Sequence, residues 1–382
     1  MALSLLMRQA RRAPLVSVVV VALILAGCQS RAPMPPLGPA PVAAPDDVDA
    51  PRHTVALIIP LTGADGGVGT SIANAANLAL MDSGNRTIRL MTYDSAGGAA
   101  AAANRAIAEG AELILGPLLA EDVRAVGPVA RRASVPMVAF SNDSSVAGGG
   151  TYILGITPLQ AIDRVVRHSR GRGAARFGAL VPTGLYGQRA AQAMLGSVRG
   201  SGGQMIVLET FNRSLAAARL AAANLSNRGA MDAVLIADNS KIAVAAAAAL
   251  RPGPRVLGTE LWANDRTLGA TPRLRGAQYA AAPDTRFAQL VARYRARYGR
   301  TPYRLGSLGY DAMLLTVRAS RSWPIGRPFP VRSLIDREGF AGVDGIFRFG
   351  RDGIAERALE VRQVTATGFT VVSPAATSFP KD

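Results

Sequence analysis

From residue 53 onward, short apolar runs alternate with amphipathic stretches. Residues 55–59 (Val-Ala-Leu-Ile-Ile) form a continuous apolar run of strand length, the pattern of a strand buried on both faces. A Gly-rich loop covers 60–69, and 71–81 predicts a helix with Ile72, Ala75, Ala76, Leu78 and Ala79 as its apolar stripe. Strands at 88–93, 112–115 and 136–140 alternate with helices at 99–109 and 121–132, with Gly116-Pro117 as a turn. The alternation then restarts. Helices at 159–169, 188–199, 214–227 and 240–250 intersperse strands at 176–181, 204–210, 232–237 and 255–257, and Ser214 is a helix-capping residue. Two further helices are predicted at 284–298 and 303–318. The end differs: 345–349, 358–363 and 369–372 predict a small strand-rich cap. Strict alternation of buried strand and amphipathic helix implies parallel βαβ units with right-handed crossovers. The fold class is therefore α/β, with two doubly wound lobes. Such lobes hold ligands at the carboxyl ends of their strands, so two side by side make a cleft.

The first 51 residues follow another pattern. Arg8, Arg11 and Arg12 precede an apolar run at 13–26 that ends in Leu25-Ala26-Gly27-Cys28. A basic start, a short apolar core and small residues before a cut describe a secretory signal, and the run is too short to span a bilayer comfortably. With a thiol at the cut, residues 1–27 resemble a bacterial lipoprotein signal. The resemblance implies that Cys28 is acylated and becomes the mature N-terminus, attached to a membrane only through this lipid anchor. Two or more chains there give stable anchoring. Gln29 follows instead of Asp, which by resemblance to lipoprotein sorting favours the outer membrane, facing the periplasm. Residues 28–51 are Pro- and Ala-rich without apolar period, a tether reaching about 70 Å in extended polyproline geometry.

Removing residues 1–27 from the 382 leaves 355, enough for two domains with real cores. The full chain carries +17, and the mature chain about +14, because the signal contains three arginines and no acid. Lys241 and Lys381 are its only lysines. The charge is dispersed, and no base-reading motif or aromatic-basic interleaving accompanies it, so nucleic acid is not a predicted partner. The densest cluster, Arg164, Arg167, His168, Arg170, Arg172 and Arg176, reads either as a solvated helix face or as a contact for an acidic partner. Cys28 is the single cysteine, so stability comes from core burial without disulfides.

Catalytic motifs are absent or incomplete. The glycines at 63–69 are not followed by the lysine of a phosphate loop, and Ile72 breaks the dinucleotide pattern that Gly67 and Gly69 begin. The ordinary reading is a tight strand-to-helix turn. Ser378-Phe379-Pro380-Lys381 matches the Ser-x-x-Lys of penicillin-recognising enzymes, but on a Pro-containing tail instead of a helix. His53 and His168 lack triad partners, and no grouping has metal-ligand spacing. The expectation is a non-enzyme without cofactor or metal.

Several segments carry more than a fold pattern. They are Ala56–Gly63 with its Gly-rich loop, Leu113-Ile114-Leu115-Gly116-Pro117-Leu118, Val135–Asp143, and Leu185-Tyr186-Gly187. Together they resemble type I periplasmic binding proteins of the leucine/isoleucine/valine class. Within that superfamily, the Gly-Pro-Leu and Ala-Phe-Ser-Asn-Asp segments on a lipoprotein-like chain are similar to penicillin-binding protein activators of the LpoA type. These stimulate bifunctional peptidoglycan synthases. The helical-repeat domain of some members is missing here. The resemblance implies a type I periplasmic-binding-protein fold with interleaved lobes and a three-strand hinge. The chain would cross near Thr157-Pro158, near Ala282-Pro283 and near Pro324. Lobe 1 is then 52–157 plus 283–323, lobe 2 is 158–282 plus 324–375, and 376–382 is a tail. It also implies a peptidoglycan synthase (a class A penicillin-binding protein) as partner. The alternative is a solute-binding lipoprotein that feeds a small polar ligand or amino acid to an ABC-type importer.

For the cleft, the resemblance implies Thr62, Gly63, Leu118, Leu119, Ser141, Asn142, Asp143, Tyr186, Asp238 and Glu260. Glu260 aligns with an ammonium-binding acid and Tyr186 with a cleft aromatic. The 118–121 loop lacks the serine of amino-acid binders. Asp143 stands where a threonine hydroxyl would help hold a carboxylate, and a negative charge would repel it. Asp143, Asp238 and Glu260 meeting there would make an acidic pocket that prefers a cation, an amine or a polyhydroxyl ligand. The same residues also suit helix caps and loop turns in a vestigial cleft.

Overall fold

The computed structural model describes residues 50–380. The signal at 1–27, Cys28 and nearly all of the tether lie outside the described residues.

The run at 55–59 is the inner strand that its apolarity predicts. β1 (His53–Ile59) pairs in parallel with β2 (Ile88–Asp94) on one side and β3 (Leu113–Leu115) on the other. β4 (Met137–Ala139) and β5 (Thr151–Ile153) complete a five-stranded parallel sheet of order β2-β1-β3-β4-β5. Alternate residues of β1 serve different cores. Val55, Leu57 and Ile59 pack with α1 (Gly66–Ser83), and Ala56 and Ile58 with α2 (Ala99–Ala108) and α3 (Ala120–Arg132). Both faces are covered, as a parallel sheet requires.

α1 begins at Gly66, inside the expected 60–69 loop. A Cβ at Gly69 would fall 1.6 Å from the Pro60 carbonyl oxygen, so only glycine lets the helix start this close to the strand end. The second lobe repeats the device, with a Cβ at Gly187 falling 1.5 Å from the Pro182 oxygen. Gly69 thus serves backbone approach, whereas a Cβ at Gly67 would meet only the Tyr303 side chain, at 3.3 Å.

The second lobe alternates α4 (Pro158–Gly171), β6 (Arg176–Pro182), α5 (Leu185–Gly200), β7 (Gln204–Phe211), α6 (Leu215–Ser226), β8 (Ala233–Ile236), α7 (Ser240–Ala249), β9 (Arg255–Gly258) and β10 (Gln278–Ala281). Ser214 caps α6, its hydroxyl accepting from the Ala217 amide at 3.2 Å. The sheet order is β15-β14-β10-β9-β8-β6-β7. It is parallel except for β14 (Glu360–Thr365) and β15 (Gly368–Ser373), which join antiparallel.

α8 (Thr285–Tyr298) and α9 (Gly306–Ser320) return to the first lobe, where Leu290, Tyr294, Leu308 and Met313 enter its core. The expected assignment of 324–375 to the second lobe divides in two. β11 (Phe340–Gly342), β12 (Gly345–Phe349) and β13 (Ala355–Arg357) form an antiparallel sheet whose Phe340, Phe347 and Phe349 pack into the first core. Only β14 and β15 belong to the second sheet. Pro324 is not a crossing. Its neighbour Trp323 stacks on His53 at 3.6 Å, and His53 also bonds Glu112 and the Trp323 carbonyl, tying this segment to the start of β1. The chain crosses at 154–157, at 282–284 and at 358–359.

Two buried arginines tie the crossings together. Arg357 donates through Nε and Nη2 to the Leu154 carbonyl. Arg362, with no exposed surface, reaches the Ala282 carbonyl (2.7 Å), Glu360 (2.7 Å) and Asp284 (3.1 Å). The basic cluster at 164–176 is largely engaged within the chain. Arg164 donates to Leu359 and Ser373, Arg167 to Asp163, Arg170 to three loop carbonyls and Arg176 to Asp232.

Candidate functional site

Between the lobes lies a cavity of about 400 Å³. Its first-lobe wall comes from the carboxyl ends of β3 and β4, which present Leu118, Leu119, Phe140 and Asn142, and from the start of α1, with Asp65 and Val68. Arg304, Leu305, Ser307 and Leu308 at the start of α9, with Asp344 of the third sheet, close that side. The second lobe contributes Glu260, Leu261, Ala263 and Asn264 from the loop after β9. Crossing residues Gly155, Ile156 and Ala282, with Ala281 at the end of β10, form the base. This is the position an open α/β sheet favours for ligands, and the size is that of a small-molecule pocket.

Of the residues expected in the cleft, Leu118, Leu119, Asn142 and Glu260 line this cavity together. Thr62 instead donates to Asp94 Oδ2 at 2.7 Å, beside the Leu61 amide on Oδ1 at 2.8 Å. Those bonds hold the Asp94 carboxyl below its ordinary value. Gly63 supplies a left-handed turn at φ 72°. The Ser141 hydroxyl accepts from the Asp143 amide at 3.1 Å.

Asp143 and Asp238 do not line the cavity with Glu260, so the expected trio does not form; the acids that line it are Asp65, Glu260 and Asp344. Asp143 turns to Arg124 at 2.5 Å, Ser145 and, across the cleft, Arg189 of the second lobe at 3.4 Å. Burial opposes its ionisation, but the Ser145 hydrogen bonds, Arg189 and Arg124 outweigh that and hold its carboxyl below the ordinary value. Asp238 is fully buried and takes Arg213 in a fork at 2.9–3.2 Å, while its carbonyl receives Trp262 Nε1 at 2.9 Å. Each of these two aspartates has arginine beside it, which offsets the repulsion expected from Asp143.

Glu260 has no such partner. The Tyr186 hydroxyl lies 3.1 Å from its Oε1 and 3.0 Å from Thr259 Oγ1, so Tyr186 acts on the cavity through Glu260. Oε2 is closed to solvent and has no hydrogen-bond partner among the described residues, although other parts of the residue remain accessible. Burial pushes the Glu260 carboxyl up to about 7, only partly offset by backbone and Tyr186 hydrogen bonds. Burial and the Glu260 charge raise the Tyr186 phenol well above its ordinary value.

Sequence reasoning missed the polar group opposite. Arg304 pairs with Asp344, and Ser307 Oγ donates to Asp344 Oδ2 at 2.7 Å. Residues 304 and 344 come from a helix start and from a hairpin end of the third sheet, and no local motif links them. A single arginine, Arg304, at an otherwise uncharged helix start was the only available signal.

Among the described residues, no group of three His, Cys, Asp or Glu side chains forms a metal site, and no helix is long and apolar enough to cross a membrane. Lys381 of the Ser-x-x-Lys match lies outside the described residues.

Comparison with known proteins agrees with this geometry. A curated relative, an uncharacterised protein of Rickettsia prowazekii, is 25% identical over 175 residues. That stretch covers 45% of this chain and about half (47%) of the relative's length. A putative branched-chain amino acid ABC transporter protein from Rhodospirillum rubrum superposes with a TM-score of 0.73 at 22% identity, over 84% of this chain and 100% of that one. An ABC-transporter solute-binding protein from Rhodopseudomonas palustris, solved with benzoate, superposes with a TM-score of 0.65 at 17% identity, over 87% of this chain and 98% of that one. At these identities the likeness shows the fold. The family model described as periplasmic binding protein matches residues 53–369, both lobes and all three crossings, and the chain belongs to that family of extracytoplasmic binding proteins.

Proposed function

We propose that this chain is an extracytoplasmic solute receptor. It holds a small organic ligand between its lobes and delivers it to an ABC-type importer, while Cys28 tethers it to a membrane. The observation that carries this reading is the cavity at the strand ends, where apolar walls surround a buried carboxylate, Glu260, with an unpaired oxygen. A buried polar atom left without a partner costs stability, and a ligand group placed there relieves the cost. The structural neighbours include solute-binding proteins of transporters, which supports the same reading.

The activator reading, suggested by the Gly-Pro-Leu and Ala-Phe-Ser-Asn-Asp segments, assigns the work to an outer surface contacting a peptidoglycan synthase. It has no use for an open cavity. A thermal-denaturation screen of organic acids, amino acids and amines separates the two. A receptor gains stability with its ligand, and Glu260→Gln changes the gain. An activator gains none from the screen and raises the turnover of a synthase whether or not Glu260 is changed.

A further inference from the structure

The first lobe carries a groove of about 390 Å³ that shares no lining residue with the cavity between the lobes. It lies between α3 and the 145–151 loop. Val123, Pro128 and Val146 give it apolar walls, and Arg124, Arg131 and Ser145 give it polar ones. No acid lines it among the described residues, unlike the cleft. Arg124 and Arg131 stand two turns apart on one face of α3, about 10 Å along the axis.

The two arginines differ in what holds them. The Arg131 guanidinium has no hydrogen bond or ion pair among the described residues. Its stem is packed in place: a Cβ at Gly149, where φ is 58°, would fall 3.0 Å from Arg131 Cδ. Arg124 is partly engaged, its Nη2 reaching Asp143 at 2.5 Å and Ser145 Oγ at 3.4 Å, and its side chain is 49% exposed.

Asp143 has a second cation. Arg189, in α5 of the other lobe, brings Nε to 3.4 Å from Asp143 Oδ1. That Nε is closed to solvent and makes no hydrogen bond among the described residues. Asp143 thus stands between two arginines, with one pair made and the other unfinished. Its carboxyl is held below the ordinary value and is ionised at neutral pH. An anion that draws Arg124 away leaves Asp143 to complete its bond with Arg189.

We propose that this groove binds a small organic dianion, one anionic end on Arg131 and the other on Arg124, and that its binding strengthens the Asp143–Arg189 pair between the lobes. The coupling is reciprocal, so whatever tightens that pair also raises the groove's affinity. The proposal goes beyond the receptor reading and does not depend on what the cleft holds.

The test is calorimetric titration of the full-length protein at low salt with adipate, and with 1,6-hexanediol as the uncharged comparator. Adipate should bind and hexanediol should not. Arg131→Gln and Arg124→Gln should each weaken adipate at least about fivefold, the loss of one exposed charge-assisted hydrogen bond. Arg172→Gln, an exposed arginine of the second lobe, should keep wild-type affinity. Two variants outside the groove read the coupling. Asp143→Asn frees Arg124 and should tighten adipate about threefold, whereas Arg189→Gln leaves Asp143 to Arg124 alone and should weaken it about threefold. The double variant D143N/R189Q should match Asp143→Asn, because the effect of Arg189 passes through the Asp143 charge. Failure of adipate to bind, or binding that survives Arg131→Gln, overturns the site. Equal affinity in wild type, Asp143→Asn and Arg189→Gln overturns the link between the lobes.

Discussion

Glu260 is half-buried and Arg362 buried in the second lobe, and each leaves one polar atom (Glu260 Oε2, Arg362 Nη1) without a partner among the described residues, but only Arg362 has opposite charge beside it. Arg362, at the crossings, has two carboxylates and a carbonyl within 3.1 Å, and the Phe369 ring lies against it at 4.1 Å. Glu260, at the cavity, has one phenol and an oxygen with nothing to bond. The hinge spends its buried charge on opposite charge and so fixes where three strands pass. The cavity leaves its charge unmatched, which a fold tolerates when something else completes it. Asp143 and Asp238 repeat the contrast, because each has an arginine and neither lines the cavity.

The largest effect should come from breaking the matched side. Arg362→Met leaves Glu360 without its cation and Asp284 with only Arg266 at 3.9 Å, and should cost about 3–5 kcal/mol in urea unfolding. A cost under about 1 kcal/mol would mean the crossings do not depend on it.

The unmatched side gives a pH signature. The folded protein holds the Glu260 carboxyl near 7, above its ordinary 4.5, so the native state keeps a proton that the unfolded chain releases. That contribution is fully present below pH 4.5 and fades as pH rises to 7. It amounts to about 3 kcal/mol as an upper figure. Asp311 shifts in the same direction, so the comparison must be with Glu260→Gln, whose stability should fall less over that window. Parallel curves for the two proteins would show that the carboxyl is well solvated.

A bound solute should sharpen the contrast. At a hundred times its Kd, it adds about 2.7 kcal/mol to wild-type unfolding. The smallest effect belongs to the ion pair across the cleft. Asp143 is buried but Arg189 is 31% exposed, so Arg189→Gln should cost less than about 1 kcal/mol and less still in high salt. A larger loss would make that pair a principal clasp between the lobes.

The repeated βαβ pattern was legible because parallel strands buried on both faces must be apolar throughout, as 55–59 and 177–181 are. The elements that escaped have no such run. β5 has three residues, and β10 (Gln-Tyr-Ala-Ala) is an inner strand whose burial comes from its neighbours. The third crossing was misplaced because Pro324 punctuates the chain locally, whereas the true passage at 358–359 depends on where three phenylalanines pack. In the cavity, residues on strand-end loops were readable from motifs. What they face was not: the arginines that neutralise Asp143 and Asp238 come from other elements, and Arg304 meets Asp344 only in the folded chain.

The central claim is that the cavity between the lobes is where this protein works. Native mass spectrometry of full-length protein from producing cells tests it most directly, comparing wild type with Ala263→Trp, which fills the cavity from the second lobe. The account predicts a stoichiometric small-molecule adduct on the wild type that the filled variant lacks. An adduct carried equally by both proteins, or a wild type found only in complex with a peptidoglycan synthase, would contradict it.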